Sequence, residues 1–532
     1  MRDHLVFAVL GLLGALSAQS NTIAGLDGAL DLIEDPWYFG RRGAAHPNGE
    51  IGIAYSYYVC NRGTAQIQWQ GPGNGPAPMA TNHPLWAFLV ARESDGRMVQ
   101  ITDDRTYVKH ASGASNSTRC TPCQNPGTNT VLGVGCSDAY GQNTNANRFS
   151  LGPRDEIDPW LGTWNPIHSY FDRGDPDVGP PANADGVRSL SGTFSDPVKN
   201  RVTLSEQDLM VAGRFYYSMD FIVQGERADL RGDNIGYREM TPTWNGSVWS
   251  FPNAFPFAHG SVLSAWQGAS VSSARNGNDD GTFYVAVVVT GPVAGLWHYE
   301  YAVHNVDNRR GAATLRIPLC PSIAVANAGF RDIDGDPLDD WTSSRVGGEL
   351  VFSANTNALQ WNQLFNFWFD CASAPVSGTV TLDEALPGTG ALQVGVATQV
   401  PGTPTLVAVL GPGCGTPLPA VSANGAPVLA NSAFGVAVVT GPLAPVILFA
   451  STSSGNQTLA PGCTQYLGGT SFETVFLVTD GAGRALFPVP VPSALLLDGQ
   501  SMYWQAAQIV SGGVVLGGLT ISNGLQTRVG CR

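Results

Sequence analysis

An all-β, multi-domain protein of β-sandwich modules with long disulfide-tied loops is the fold this sequence predicts. Two features point there. Glycine (64) and proline (36) are abundant, and short apolar runs alternate with turn signals where a helix would need a sustained 3.6-residue period. The nine cysteines fall in three separated groups, as expected when disulfides close within modules. At 532 residues the chain exceeds what one hydrophobic core supports and suggests about three domains.

Taken in order, residues 1–20 read as a signal peptide. Arg2 precedes an apolar core at residues 5–16, and small residues follow at Ala18 and Ser20. That core is too short to cross a bilayer as a helix. Residues 21–281 are expected to form an amino-terminal β domain. Within it, Ser94-Asp95-Gly96 marks a hairpin, Trp244-Asn245-Gly246-Ser247 another, and residues 176–185 resemble a linker. Residues 111–152, rich in Ser, Asn, Gly and Thr and holding three cysteines, read as a long cross-linked loop. Residues 282–398 have the size and strand spacing of an Ig-like β-sandwich. In it Phe365, Phe367 and Phe369 share one strand face while Asn366, Trp368 and Asp370 share the other. Residues 403–532 form a carboxy-terminal β module with only six charged residues. Within this tail, residues 433–450 are apolar, but Gly441-Pro442 and Pro445 break them into two strands around a turn, so no membrane span is expected.

The charge balance narrows the function. A net charge of −14, with Lys109 and Lys199 the only lysines, excludes the clustered basic surface that nucleic acid requires. Export would place the cysteines in oxidising surroundings, where thiols pair. Cys60, Cys120, Cys123 and Cys136 are expected to form two disulfides of unassigned pairing. Cys320 and Cys371 are expected to close a third inside the sandwich. Of Cys414, Cys463 and Cys531, one is left over, and Cys531 beside the chain end is the expected spare.

Two blocks carry a resemblance. Leu132-Gly-Val-Gly-Cys-Ser-Asp-Ala-Tyr140 with Leu151-Gly-Pro-Arg-Asp-Glu156, and Trp297-His-Tyr-Glu-Tyr-Ala-Val-His-Asn305 with Asn357-Ala-Leu-Gln-Trp361 and Phe365-Asn-Phe367, resemble the signatures of an uncharacterised family of exported bacterial multi-domain β proteins. Gly411-Pro-Gly-Cys414, Pro461-Gly-Cys463 and Ser522-Asn-Gly-Leu525 are similar to a separate carboxy-terminal β module on such proteins. The resemblance implies export and modularity and brings no catalytic residue with it.

Four groups of residues are candidates for chemistry. Cys120-Thr-Pro-Cys123 with Cys136, Cys60 and His110 supplies zinc-ligand types, but only half of a zinc-ribbon spacing, so disulfides are the expected outcome. Asp332, Asp334, Asp336, Asp339 and Asp340 alternate around a glycine turn, a pattern suited to wrapping calcium with oxygens, although the usual glutamate at the twelfth position is missing. His298, Glu300 and His304 share one face of a strand; the strand rise puts His304 about 20 Å from His298, so a hydrogen-bonded polar face is expected and not a three-ligand metal site. Trp160 and Trp164 lie beside Asp155, Glu156 and Asp158, the residue types that stack on and hydrogen-bond sugar rings. Arg173-Gly-Asp175 and Arg231-Gly-Asp233 match a short adhesion tripeptide. No nucleophile elbow, metalloprotease helix, phosphate-cradling loop or organic-cofactor motif is present. The expected function is therefore an exported cell-surface or matrix protein that binds polysaccharide, with self-association through the sparsely charged tail. The rival is a secreted enzyme acting on a polysaccharide, its catalytic residues unassigned and its site near residues 110–177.

Overall fold

The computed structural model describes residues 23–531 apart from 74–76, 121, 192–194, 278–280, 321–322, 404 and 470–471; the expected signal peptide lies outside these residues. The described chain is almost entirely antiparallel β, as the sequence predicts, and its described residues between 28 and 401 build four stacked β layers. The first layer holds Gly28–Gly43, Gly49–Asn61 and Val202–Ser205, with Ser137–Tyr140 alongside. The second runs Ala258–His259, Ile235–Met240, Arg214–Ile222, Leu85–Ser94, Val108–His110 and Leu151–Gly152, with Arg97–Gln100 hydrogen-bonded to Leu85–Ser94. The third runs Ser270–Ala274, Phe283–Val293, Leu296–Asn305, Gln363–Cys371 and Val325–Arg331, and the fourth Thr342–Val346, Glu349–Ser353, Ala312–Pro318, Pro375–Glu384 and Gln393–Pro401.

Strand alternation builds three seams between these layers. Along Arg214–Ile222, Phe215, Tyr217, Met219 and Phe221 face the first layer in a core with Ile33, Ile53 and Tyr57. On the opposite face Tyr216 joins Leu89 and Ala91 against Ala286, Ala302 and Leu364 of the third layer. Tyr299, Tyr301, Phe365, Phe367 and Phe369 then pack against Leu315, Phe352 and Leu382 of the fourth layer. The polar face of Gln363–Cys371 is not a solvent face. Asn366 Nδ2 donates to the Met98 carbonyl at 2.9 Å, and the Leu364 amide donates to Gln100 Oε1 at 2.9 Å. These bonds join the expected amino-terminal domain to the sandwich as one body.

Four expectations are corrected. The boundary at 281/282 cuts between Ser270–Ala274 and Phe283–Val293, two paired strands of the third layer. Residues 176–185 are not a domain linker, because the chain on both sides belongs to the same module: the Ala182 amide donates back to the Arg173 carbonyl at 3.0 Å, and Val202–Ser205 re-enters the first layer. Cys320 does not pair with Cys371; it pairs with Cys531. Cys371, at the end of its strand, points into the core between the third and fourth layers as a small apolar group and is a free, buried thiol. Cys531 is therefore not the spare. The chain end returns to the passage between sandwich and tail, where the Thr403 amide donates to Cys531 Sγ at 3.5 Å. The other bridges are Cys60–Cys120, Cys123–Cys136 and Cys414–Cys463.

The tail forms its own sandwich. A sheet of Leu406–Gly411, Gly524–Arg528, Ser501–Gly513, Pro445–Ser451 and Glu473–Val478, with Gly517–Ile521, faces a second of Ala420–Asn424, Gly435–Val439 and Arg484–Pro488. Val421, Val436, Leu448, Trp504 and Leu525 fill the space between. The apolar stretch at 433–450 is two strands, one in each sheet. Among the described residues no helix is long and apolar enough to cross a membrane.

Candidate functional site

The acidic loop brings three of its five carboxylates together. Oxygens of Asp332, Asp334 and Asp339 lie within 4.8 Å of one another. Asp336 and Asp340 fall outside this trio, and Asp336 Oδ1 accepts the Leu338 amide at 3.0 Å. Asp332 is held by Asn357 Nδ2 at 2.6 Å; burial and the neighbouring carboxylates push its carboxyl up to about 6. Asp339 Oδ1 is buried without a partner. The donor set is oxygen throughout, which suits a hard cation, but three carboxylates supply only part of the six to eight oxygens that calcium takes. Backbone oxygens or water would complete it.

The zinc alternative finds no support. All four amino-terminal cysteines are in disulfides, and His110 Nδ1 is hydrogen-bonded to His83 Nε2 at 2.9 Å. His298, Glu300 and His304 face the second layer as a hydrogen-bonded set. Arg97 grips Glu300 with two bonds of 2.7 and 2.6 Å, and His298 Nδ1 meets Asp370 Oδ1 at 2.6 Å. Bonding to Glu300 and Asp370 raises the His298 pKa, whereas burial holds His304 down at about 3.

Trp160 and Trp164 do not form a sugar platform. They are 5% and 7% exposed. Guanidinium groups of Arg231 and Arg275 lie 4.3 and 5.6 Å from the Trp160 ring centre, and Trp164 packs among His83, His110 and Phe171. Proximity in sequence to carboxylates misled because these rings face inward. Two of the three nearby carboxylates are committed too, while Asp155 is exposed. Glu156 Oε1 accepts the Tyr170 amide at 2.7 Å, its Oε2 is buried, and burial pushes its carboxyl up to about 7. Asp158 pairs with Arg309 at 3.2 Å. The adhesion tripeptides are tied up as well, Asp233 by Arg62 at 2.5 Å and Asp175 by Lys199 at 2.7 Å.

The exposed aromatic surface lies elsewhere. In Gly28–Gly43 the register slips between Ile33 and Pro36, so Glu34 and Asp35 bulge from the ladder. Bulges of this kind re-aim side chains. Just beyond, Trp37 is 55% exposed. It borders a groove of about 600 Å³ with Asp35, Tyr38, Val248 and Phe251. A second hollow of about 380 Å³ shares Asp35 and Trp37 and adds Glu34, Gln142, Arg238 and Asn253. Asn253 donates to Asp35, Ser56 to Gln142 at 2.6 Å, and Arg238 Nη1 to the Ile33 carbonyl at 2.8 Å. An apolar ring face thus sits in an open groove beside carboxylate, amide and guanidinium groups. Glu34-Asp35-Pro36-Trp37 carries the same acid-beside-tryptophan signal that drew attention to Trp160. What it lacks in sequence is any sign of the bulge that turns the ring outward.

Neither a protein family nor a curated protein matches the chain. Among solved structures, the crystal structure of the major pilin subunit of Bacillus cereus aligns with 64% of this chain and 84% of that one, at 9% identity and a TM-score of 0.17. That similarity is too slight to bear on fold or function.

Proposed function

We propose that this is an exported structural protein that binds polysaccharide through the Trp37 groove. The half-exposed Trp37 ring carries the reading: a flat apolar face beside Glu34, Asp35, Gln142 and Asn253 offers a sugar both stacking and hydrogen bonds. Placement outside the cytoplasm is supported by eight of the nine cysteines lying in disulfides. Self-association through the tail is supported by Phe476 (62%) and Val478 (55%), exposed on the edge strand Glu473–Val478. Co-sedimentation with insoluble polysaccharides, with reducing-sugar release measured in parallel, tests the reading. Binding without sugar release is the expected result. Sugar release would favour the enzyme, and retention by none of the polymers would refute the groove's role.

Calcium binding at Asp332, Asp334 and Asp339 belongs to the same proposal, as a brace for the loop before Thr342–Val346. A cation relieves the repulsion among these carboxylates, and a ligand of the folded state alone stabilises it by about 1.4 kcal/mol at ten times its Kd. Melting in millimolar calcium is expected to exceed melting in chelator, and the difference to vanish in Asp334→Asn. Equal melting temperatures for the parent would remove calcium from the account.

A further inference from the structure

The outer face of the larger tail sheet is roofed by a hairpin. Strand alternation turns Phe449, Ala507 and Ile521 away from the core between the two tail sheets and toward the paired strands Ser454–Ala460 and Cys463–Leu467. Three ties fix the height of this roof. Cys463 is bridged to Cys414, whose amide donates to the Ile521 carbonyl at 2.7 Å. Gln505 Oε1 accepts the Tyr466 amide at 2.9 Å, and Gln505 Nε2 donates to the Thr464 carbonyl at 2.8 Å.

Between roof and sheet lies a cavity of about 200 Å³, walled by Leu459 and Leu467 of the hairpin, by Phe449, Ala507 and Ile521 of the sheet, and by Leu516. Two amides interrupt an otherwise apolar lining. Gln505 is committed to the roof; Gln465 Nε2 donates to the Leu467 carbonyl at 3.0 Å, while its Oε1 accepts no bond among the described residues. Residues 451–472 and 499–527 contain no charged residue. Protein interiors hold few voids larger than a water, and an apolar space of this size stays dry and takes apolar ligands. The pinned roof keeps it from collapsing.

The rim is unusual in its own right. Leu516, in the turn between Ser501–Gly513 and Gly517–Ile521, is 95% exposed and holds a left-handed φ of 52°. Glycines stand beside it at 517 and 518, and glycine would take that backbone without strain. A leucine kept both in water and in an unfavourable conformation fits a ligand clamp better than a plain turn.

We infer that this cavity binds one unbranched alkyl chain with an uncharged polar end, such as that of a primary alcohol. Its floor crosses the neighbouring strands Pro445–Ser451, Ser501–Gly513 and Gly517–Ile521, about 10 Å at the usual strand spacing. Over that length the volume is one chain wide, too narrow for fused rings. On the scale where about 150 Å³ takes one benzene, the cavity takes about eight carbon atoms. Gln465 Oε1 can accept the hydroxyl, whereas a carboxylate or phosphate end would find no cation in the lining. The site is separate from the Trp37 groove and does not depend on association through Glu473–Val478.

Equilibrium dialysis of the full-length protein against radiolabelled 1-alkanols, from 1-butanol to 1-decanol, tests the assignment. Each added methylene is expected to tighten binding about fourfold as far as 1-octanol, after which affinity levels off. Ala507→Phe puts a ring into the floor and should weaken 1-octanol at least about tenfold, while Leu443→Ala, away from the cavity, binds as the parent does. Should Ala507→Phe fail to fold, the chain-length series on the parent decides alone. Neutral phosphatidylcholine vesicles form a further arm, because a lipid layer also offers alkyl chains; no flotation with them is expected. No saturable binding, an affinity that rises by the same factor through 1-decanol, or a folded Ala507→Phe that binds like the parent would each overturn the assignment. So would flotation with vesicles that survives Ala507→Phe, which gives the face to a lipid layer, or exclusion of the alcohol from a dimeric parent, which gives it to a second copy.

Discussion

Replacing Glu206 by alanine is expected to be the most damaging single change outside the apolar cores, with a loss of about 3–5 kcal/mol of stability. The Glu206 side chain is fully buried and gathers donors from four directions. Arg41 bonds it at 2.7 and 3.2 Å, His46 at 3.2 Å, the Gly49 amide at 3.0 Å and Trp249 Nε1 at 3.0 Å. One carboxylate thereby ties both long strands of the first layer to Trp249, which packs in the core between the first and second layers. Removing it leaves the Arg41 charge and several donors without a partner, which is worse than the loss of one bond. Burial alone would raise this carboxyl; the bonds from Arg41, Trp249, His46 and Gly49 outweigh it and hold it down at about 2. The pH consequence follows from that sign. A carboxyl depressed in the folded state stabilises above its unfolded value of 4.5 and loses that contribution as pH falls toward about 2. Urea unfolding of parent and Glu206→Ala between pH 7 and pH 2 checks both points. The gap between them should narrow through that window; a variant as stable as the parent at neutral pH would contradict this account.

The second large effect concerns the clamp between tail and sandwich. Cys531→Ser opens a bridge between residues 211 apart in sequence, and disulfides closing long loops typically contribute about 2–4 kcal/mol. The tail sheets end at Arg528 and their core excludes Cys531, so the variant is expected to keep both sandwiches folded while the passage near Thr403 opens. Protease should cut there faster than in the parent, and the melting temperature should fall. A non-reducing peptide map of the parent should link the Cys320 and Cys531 peptides; an alkylated Cys531, or a Cys320–Cys371 peptide, would overturn the pairing. Sedimentation of the parent and Phe476→Lys reads the tail's association: monomers in both would leave that part of the proposal without support.

Much of the fold was legible because strand alternation survives burial. Phe365, Phe367 and Phe369 announced a core face and occupy one. The opposite face carried no such signal, since Asn366, Trp368 and Asp370 are residue types that either water or another layer can satisfy. Yet Asn366 bonds the Met98 carbonyl and Trp368 lies under Arg97 at 3.7 Å. A polar side chain says that it needs partners, not whether water or another layer provides them. The same ambiguity concealed the continuity of the four layers, and with it the boundary at 281/282. Counting cysteines by neighbourhood failed for a related reason: Cys531 is far from Cys320 in sequence, but the tail's last strand brings the chain end back to the sandwich. For the candidate site, residue types were legible and orientation was not. Trp160 and Trp37 both stand near acids, and only the bulge at Glu34 and Asp35 separates the exposed ring from the buried one.

The most direct measurement on the proposed function is native gel electrophoresis through gels containing each soluble polysaccharide, run with the parent, Trp37→Ala and Leu443→Ala. Leu443, 71% exposed in the tail, controls for loss of an exposed apolar side chain away from the groove. Trp37 is more than half exposed, so its removal should leave melting unchanged within about 0.5 kcal/mol. The account predicts that a polysaccharide retards the parent and Leu443→Ala, and that Trp37→Ala runs as if the polymer were absent. Equal retardation of all three proteins would contradict it.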